Sequence, residues 1–181
     1  MKDAFLQKDL EQLKSLGLIR ALKSLDSPQD REIILNGRKV LNFSSNDYLG
    51  LANDARIKRA AIEAIEQYGL GAGASRLICG NMTVHEKLEA ELAYFKETQS
   101  ALVFSSGYMA NAGTISALMG RDGVVLCDKL NHASIIDGII LSRAQLQRYR
   151  HADVGVLEEI LKKTSVSQRK LIVTDTVFSM D

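Results

Sequence analysis

The 181 residues can build one domain with a full hydrophobic core, and 46% apolar with 25% charged residues is ordinary for a soluble globular protein. A net charge of +1 gives no electrostatic reason to expect nucleic acid or an anionic membrane as a partner. No apolar run approaches the ~20 residues of a membrane span, and the N-terminal stretch carries acidic residues without an apolar signal core, so we expect a cytoplasmic protein. Cys79 and Cys127 fit no metal or disulfide spacing, so we expect two reduced, buried thiols.

The first third of the chain predicts two helices around a hairpin. Apolar residues recur at helical spacing over residues 3–25, where Gly17 is an interruption. Asn36-Gly37 lies between two apolar runs, which is typical of a two-residue hairpin turn. A turn-rich loop follows, and residues 54–68 again have one apolar helical face.

Strands and helices alternate in the remainder of the chain. Thr83-Val84-His85-Glu86 is typical of a capping box at a helix start. Four strands are predicted, with helices between them, at residues 101–104, 124–127, 145–149 and 171–174. This order predicts βαβ units and an α/β fold with a mainly parallel sheet that is covered on both faces. Ligands bind at the carboxyl ends of such strands. The stretches there are SSGYMAN, DKLNHAS and DTVFSMD.

Of two glycine-containing segments, the first is a candidate anion site. In SSGYMAN, a strand, a Ser-Ser-Gly turn and a helix start would leave free amides at the positive end of a helix dipole. A plain βα turn is the equally weighted alternative. GLGAGASRLICGN (69–81) follows a helix and lacks the third glycine of the dinucleotide fingerprint. We therefore interpret it as a flexible loop near a ligand site.

His132 is the candidate functional histidine. A lone histidine is more often structural, but His132 follows a strand end at the ligand edge of the sheet. His85 does not belong to a zinc-binding HExxH motif and His151 lies in a predicted turn, so both are interpreted as structural. No carboxylate pair or metal cluster is recognisable in the sequence.

Seven stretches together carry a family resemblance. They are NFSSNDYLGLA (42–52), GAGASRLICGN (71–81), HEKLEAELAYFK (85–96), FSSGYMANAG (104–113), DKLNHASIIDG (128–138), YRHAD (149–153) and VTDTVFSMD (173–181). In this order and spacing the chain resembles the α-oxoamine synthases, pyridoxal-phosphate (PLP) enzymes of the aminotransferase-like fold type I. The resemblance covers essentially the whole chain and implies a three-layer α/β/α fold.

The resemblance also implies roles for matching residues. Gly107 and Tyr108 match the pair that holds the PLP phosphate, and Ser179 matches a serine of the cofactor pocket. His132 matches a catalytic histidine that stacks on the pyridine ring and contacts substrate. Arg20 matches an arginine that contacts the acyl substrate, where a guanidinium can bind a carboxylate through two hydrogen bonds. Asn46 lies in a loop that approaches the site, from the partner subunit of a homodimer in this family.

The implied reaction is the decarboxylative condensation of an amino acid with an acyl thioester, with release of CO2 and the thiol carrier. Within the family the stretches are most similar to the branch that joins L-alanine to a pimeloyl thioester, on CoA or acyl carrier protein, in biotin synthesis. The branch that joins glycine to acetyl-CoA has very similar NHASIIDG and VFSMD stretches and stays open as an alternative. The implied active site lies at the interface of a homodimer.

Several family elements have no counterpart in this sequence. Family chains continue past VFSMD to the aspartate that pairs with the pyridine nitrogen, the lysine that holds PLP as a Schiff base, and a small C-terminal domain. We therefore expect an N-terminal fragment that is inactive alone. Residues 1–45 would form a helix and hairpin segment, and residues 46–181 the first part of the large PLP-binding domain. A non-catalytic remnant, or a partner that dimerises with an intact subunit, is the alternative class.

Overall fold

The computed structural model describes residues 4–178, which divide into two compact units, one ending at Gly73 and one beginning at Ala74. The first unit contains α1 (Ala4–Ser15), β1 (Glu32–Leu35), β2 (Arg38–Leu41) and α2 (Ala55–Tyr68). The second begins with a π-helical turn (Arg76–Gly80) and continues with α3 (Thr83–Phe95), α4 (Gly107–Leu118), β3 (Val124–Asp128), α5 (Ala133–Ser142), β4 (Gln145–Tyr149), α6 (Val154–Lys163) and β5 (Lys170–Val173). The predicted boundary between residues 45 and 46 stays a prediction.

The first helix is shorter than the sequence predicts. It ends at Ser15, because Gly17 adopts a left-handed conformation (φ +66°) and the Leu18 amide turns back to the Leu13 carbonyl at 2.9 Å. This arrangement is the usual helix stop at a glycine. The prediction of one helix over residues 3–25 is therefore wrong beyond Ser15.

The predicted hairpin is confirmed. Strands β1 and β2 pair antiparallel, and Leu35 lies opposite Arg38 across a two-residue turn. Asn36 and Gly37 both have positive φ, +50° and +72°, as the turn type that matches strand twist requires.

The second unit contains a parallel three-stranded sheet in the order β4-β3-β5. All five residues of the central strand β3 are buried, and its side chains alternate between two cores. Val125 and Cys127 pack with α4 and α5, whereas Val124 and Leu126 pack with Tyr149 and α6. Helices therefore cover both faces, and the predicted three-layer α/β/α arrangement is confirmed here.

Two local predictions in this unit are wrong. Residues 101–104 belong to no strand, because the Val103 amide donates to the Glu89 carboxylate at 2.8 Å instead of to a neighbouring strand. Thr83 is the first residue of α3 rather than its cap. The His85 ring, not Glu86, reaches back, and its Nδ1 accepts the Met82 amide at 3.0 Å.

The two thiols differ in their surroundings. Cys127 is fully buried in β3, and burial raises the pKa of its thiol. Cys79 lies exposed in the π-helical turn, so the expectation that both are buried is wrong for this residue. Among the described helices, none has the length and apolar character needed to cross a membrane.

Candidate functional site

The N-terminus of α4 presents two backbone amides without partners. Ser106 caps the helix, and its hydroxyl accepts the Met109 amide at 3.2 Å. The amides of Gly107 and Tyr108 bind nothing among residues 4–178. A Cβ at Gly107 would meet no heavy atom within 4 Å, so the backbone is open to a ligand there. Two free amides at the positive end of a 12-residue helix favour an anion.

The loops that follow β3 and β5 are tied together beside this helix end. Asn131 donates to the Val173 carbonyl at 2.7 Å and accepts the Asp175 amide at 3.0 Å. The Asp175 carboxylate in turn accepts the backbone amide of His132 at 2.8 Å. These bonds fix the position of His132 relative to both strand ends.

The His132 ring is held on one side by α5 and α4. Its Nδ1 lies 2.7 Å from the Ser134 hydroxyl and accepts the Ser134 amide at 3.2 Å. The Asn111 side chain of α4 donates to the same hydroxyl at 2.9 Å. Ser134 is only 1% exposed, so this contact is shielded from water.

A glycine allows α4 and α5 to approach closely. A Cβ at Gly138 would lie 3.0 Å from the Asn111 carbonyl oxygen and 3.1 Å from the Ala112 Cα. At this separation the Tyr108 hydroxyl donates to the Asp137 carboxylate at 2.9 Å. That hydrogen bond, and the negative charge beside it, raise the pKa of Tyr108.

These groups surround one cavity of about 270 Å³ at the carboxyl edge of the sheet. Its lining residues are Gly107, Tyr108, Asn111, His132, Ser134, Asp175 and Val177. The structure thus brings together three of the residues singled out in the sequence, Gly107, Tyr108 and His132. The sequence analysis missed the remaining polar residues, although the i, i+4 spacing of Gly107 and Asn111 placed both on one face of α4.

The remaining predicted site residues lie elsewhere in the chain or outside the described part. Arg20 is exposed in the first unit, after the end of α1. Asn46 lines a concave region of about 490 Å³ in the same unit, together with Lys23 and Phe43. Ser179 lies outside the described residues.

The second strand-end carboxylate, Asp128, is engaged in a separate network. It is 2% exposed and accepts the amides of Leu130 at 2.9 Å and Ala152 at 3.0 Å, together with His151 Nδ1 at 3.1 Å. Burial alone would raise the pKa of this carboxyl, but the two amides and the ring outweigh it, so the pKa lies below its ordinary value. Asp128 thus anchors the turn after β4, in line with a structural interpretation of His151.

The glycine-rich segment is held by an ion pair. Arg76 contacts Glu89 of α3, with 2.8 Å between Nη2 and Oε2, and also donates from Nε to Asn81 at 2.9 Å. Arg76 and the Val103 amide lower the pKa of Glu89 to about 2. The end of this segment is therefore a fixed π-helical turn rather than a flexible loop. Among residues 4–178, no group of three or more His, Cys, Asp or Glu side chains is arranged to hold a metal ion.

Comparison with known proteins is consistent with this geometry. The family model of aminotransferase class I and II matches residues 38–181. An 8-amino-7-oxononanoate synthase of Symbiobacterium thermophilum is 53% identical over 178 residues, which are 98% of this chain and 45% of the relative. The corresponding protein of Alkaliphilus metalliredigens is 52% identical over the same shares of the two chains.

Solved structures give the same fold. Sphingomonas wittichii serine palmitoyltransferase is 34% identical with a TM-score of 0.89, over 99% of this chain and 45% of that one. A serine palmitoyltransferase of S. paucimobilis with bound PLP-myriocin is 32% identical with a TM-score of 0.89, over 99% of this chain and 46% of that one. The predicted family resemblance and fold class are confirmed, and the chain spans about 45% of the length of the curated relatives it matches.

Proposed function

The chain belongs to the aminotransferase class I and II family, and from this premise we propose that its second unit contributes part of a PLP site. The observation that carries the proposal is the meeting of two free helix-start amides and an imidazole in one cavity at the carboxyl edge of a parallel sheet. The similarity to serine palmitoyltransferase with bound PLP-myriocin supports the same cofactor.

The described residues fit the two ends of this cofactor. The amides of Gly107 and Tyr108 would bind the phosphate dianion, because the helix dipole and unpaired donors both favour negative charge. The His132 ring would cover one face of the pyridine, since Asp175 holds its backbone amide and Ser134 holds its Nδ1. When bound, PLP supplies an electron sink for negative charge at the α-carbon of an amino acid.

We further propose that the protein containing this chain is an acyltransferase of the α-oxoamine synthase type. Similarity to 8-amino-7-oxononanoate synthases over 98% of the chain supports L-alanine and a pimeloyl thioester, on CoA or acyl carrier protein, as substrates. In this proposal His132 contacts the substrate and Arg20 binds the distal carboxylate of the acyl chain. Ser179 contributes to the cofactor pocket.

The partner implied by the resemblance belongs to the same proposal. We expect a homodimer in which Asn46 approaches the active site of the other subunit. Half-exposed apolar side chains on α2, such as Ile57 at 49% and Ile65 at 48%, support a protein partner for the first unit. Light scattering after size exclusion tests this point, and a monomer at working concentration would contradict it. A cytoplasmic location is part of this proposal.

The solved structures support L-serine as the alternative amino-acid substrate. Serine palmitoyltransferases have this fold at a TM-score of 0.89, although their identity of 34% is well below the 53% of the synthase relatives. The assay, on the longer protein that contains this chain, therefore measures thiol release from pimeloyl, palmitoyl and acetyl thioesters with L-alanine, L-serine or glycine. L-alanine with the pimeloyl thioester should have the highest kcat/KM. Preference for L-serine or for glycine would contradict the proposed substrate while leaving PLP binding to be judged separately.

Gly107→Pro tests the phosphate site directly. Proline is tolerated at the first position of a helix, so this change removes one free amide without ending α4. We expect about tenfold to a hundredfold weaker PLP binding, the equivalent of one charge-assisted hydrogen bond. Ala55→Pro makes the same change at the first position of α2 and should leave the affinity unchanged. Equal affinities of both variants and the unaltered protein would refute the proposed phosphate site.

A further inference from the structure

We propose that Asn111 and Ser134 are positioning residues that hold His132 in a single neutral tautomer, with its proton on Nε2. The chain of contacts runs from the Asn111 amide to the Ser134 hydroxyl and on to His132 Nδ1. This assignment concerns the described chain alone, whereas its use in cofactor or substrate binding rests on the proposed function.

A backbone donor decides which atom donates and which accepts at His132 Nδ1. The Ser134 amide donates to His132 Nδ1 at 3.2 Å, and a peptide N–H can only donate. Nδ1 must therefore be an acceptor, and a neutral imidazole with an unprotonated Nδ1 carries its proton on Nε2. His132 is also the N-terminal cap of α5, so its ring completes the hydrogen bonding of that helix.

The Ser134 hydroxyl strengthens this assignment. Its oxygen lies 2.7 Å from Nδ1, so its single proton must point at that nitrogen, and its lone pairs face elsewhere. Asn111 Nδ2 fills one of them at 2.9 Å. A reversed Asn111 amide would set a carbonyl against an oxygen that has no proton left to give. At 1% exposure, Ser134 is nearly closed to water that could exchange roles with these partners.

The result is an uncommitted donor in the cavity wall. His132 Nε2 has no hydrogen-bond partner among residues 4–178, and the ring lines the cavity beside Tyr108 and Asp175. A neutral ring that is fixed at Nδ1 can offer Nε2–H to an acceptor oxygen of a ligand without rotating. Ser134, which contacts the ring at Nδ1, and Asn111, which acts through Ser134, thereby set the hydrogen-bonding character of Nε2 on the opposite side of the ring.

The other histidines supply internal references. His85 Nδ1 also accepts a backbone amide, that of Met82 at 3.0 Å, and it lacks a hydroxyl relay. His151 Nδ1 faces the Asp128 carboxylate at 3.1 Å and must carry a proton, because a carboxylate only accepts. We therefore expect an unprotonated Nδ1 in His132 and His85 and a protonated Nδ1 in His151.

Nitrogen-15 NMR of histidine rings measures this directly, in the chain or in a longer protein that contains it. The His132 signals, assigned through His132→Gln, should show an acceptor-type Nδ1 and a protonated Nε2 in the unaltered protein. Ser134→Ala removes the hydroxyl donor at 2.7 Å and keeps the backbone donor at 3.2 Å, so the Nδ1 and Nε2 shifts should move toward each other without exchanging places. Asn111→Asp should move Nδ1 further toward the protonated type, because a carboxylate takes over the Ser134 proton. Ser116→Ala, an exposed serine of α4 bonded to the Ala112 carbonyl, should leave all histidine signals in place.

The outcomes separate this inference from the proposed function. A protonated Nδ1 in unaltered His132 would overturn the inference, and unchanged signals in either variant would overturn the role of the residue replaced. PLP is titrated against the same samples. A fixed Nε2–H tautomer without PLP binding refutes the proposed function and supports the relay. PLP binding with a mixture of tautomers does the reverse.

Discussion

The backbone amide of His132 donates to the Asp175 carboxylate at 2.8 Å, which joins the loops after two neighbouring strands. Strands β3 and β5 lie side by side, with Cys127 paired to Val173 at their last common position. His132 and Asp175 are 43 positions apart in the chain, and both line the same side of the cavity. The parallel sheet therefore supplies the meeting point, and this hydrogen bond fixes the geometry there together with the two that Asn131 makes to Val173 and Asp175.

Asp175→Ala should weaken both the fold and the site. The change leaves the His132 amide without its charged acceptor, a loss of about 1–3 kcal/mol. For a chain of this size that corresponds to a fall in Tm of roughly 2–10 °C. Asp175→Asn retains an acceptor oxygen and should lose less than half as much. Thermal unfolding followed by circular dichroism compares the three proteins. Equal losses in both variants would indicate that the negative charge, not the hydrogen bond, stabilises the loop.

Tyr108 should titrate at higher pH than an ordinary tyrosine. The Tyr108 hydroxyl donates a hydrogen bond to the Asp137 carboxylate, and this bond raises the pKa of Tyr108 above its ordinary value of 10.0. The raised pKa stabilises the fold at all pH values below about 10, and that contribution disappears as the pH rises through the folded-state pKa. Absorbance titration of tyrosinate is straightforward in a chain with five tyrosines and no tryptophan. Asp137→Asn should move one tyrosine of the titration curve to lower pH, and Tyr108→Phe should remove that tyrosine. Tyr149, whose pKa is raised by its own burial, should titrate as before in both variants. A curve for Asp137→Asn identical to that of the unaltered chain would contradict the bond.

Glu89 should make the second unit sensitive to acid. Its pKa is lowered from 4.5 to about 2 by the Arg76 guanidinium and the Val103 amide. Because the folded-state pKa is depressed, the stabilisation is complete above about pH 4.5 and is lost as the pH falls toward 2. Glu89→Gln should therefore lower the free energy of unfolding at neutral pH and flatten its pH dependence below 4.5.

The exposed pair Lys39–Glu32 is the matched control for Glu89. Its side chains are 70% and 42% exposed, so solvent screens the pair. Urea unfolding across the acidic range should show little change for Glu32→Gln. An equally large effect of the two substitutions would mean that the position of Glu89 between Arg76 and Val103 adds nothing.

The sequence could predict the elements that follow a local rule. The Asn36-Gly37 turn, the strand β3 and the helix start after the Ser-Ser-Gly turn all depend on residues that are neighbours in the chain. The same analysis predicted a strand at 101–104, which is wrong. An apolar run does not reveal that the Val103 amide will donate to Glu89 of α3. Tertiary contacts of this kind overrule local propensity.

The candidate site likewise contains residues that the sequence could predict and residues that it could not. Gly107, Tyr108 and His132 were recognisable by motif and by their place at predicted strand ends. Asn111 and Ser134 were not, because their importance depends on how closely α4 approaches α5. The distance between α4 and α5 depends on Gly138, and a glycine within a helix does not reveal in the sequence which helix will pack against it.

Gly138→Ala tests whether this close approach holds the site together. The added methyl would lie 3.0 Å from the Asn111 carbonyl oxygen, 3.1 Å from the Ala112 Cα and 3.2 Å from an Ile115 methyl. The first two are backbone atoms of α4 and cannot yield as a flexible side chain would, so overpacking should cost about 1–3 kcal/mol. This loss would outweigh the ~1 kcal/mol that alanine usually gains over glycine within a helix.

Gly155→Ala in α6 is the control. The added methyl would meet only an Asp153 oxygen, at an ordinary contact distance of 3.5 Å. It should stabilise the chain by up to about 1 kcal/mol. Separating α4 from α5 should also lengthen the Asn111–Ser134 and Tyr108–Asp137 bonds at once. We therefore expect the His132 nitrogen signals and the Tyr108 titration to shift together in Gly138→Ala, and neither to shift in Gly155→Ala. A Gly138→Ala protein as stable as the unaltered chain, with both readouts in place, would show that the helix spacing does not depend on this glycine.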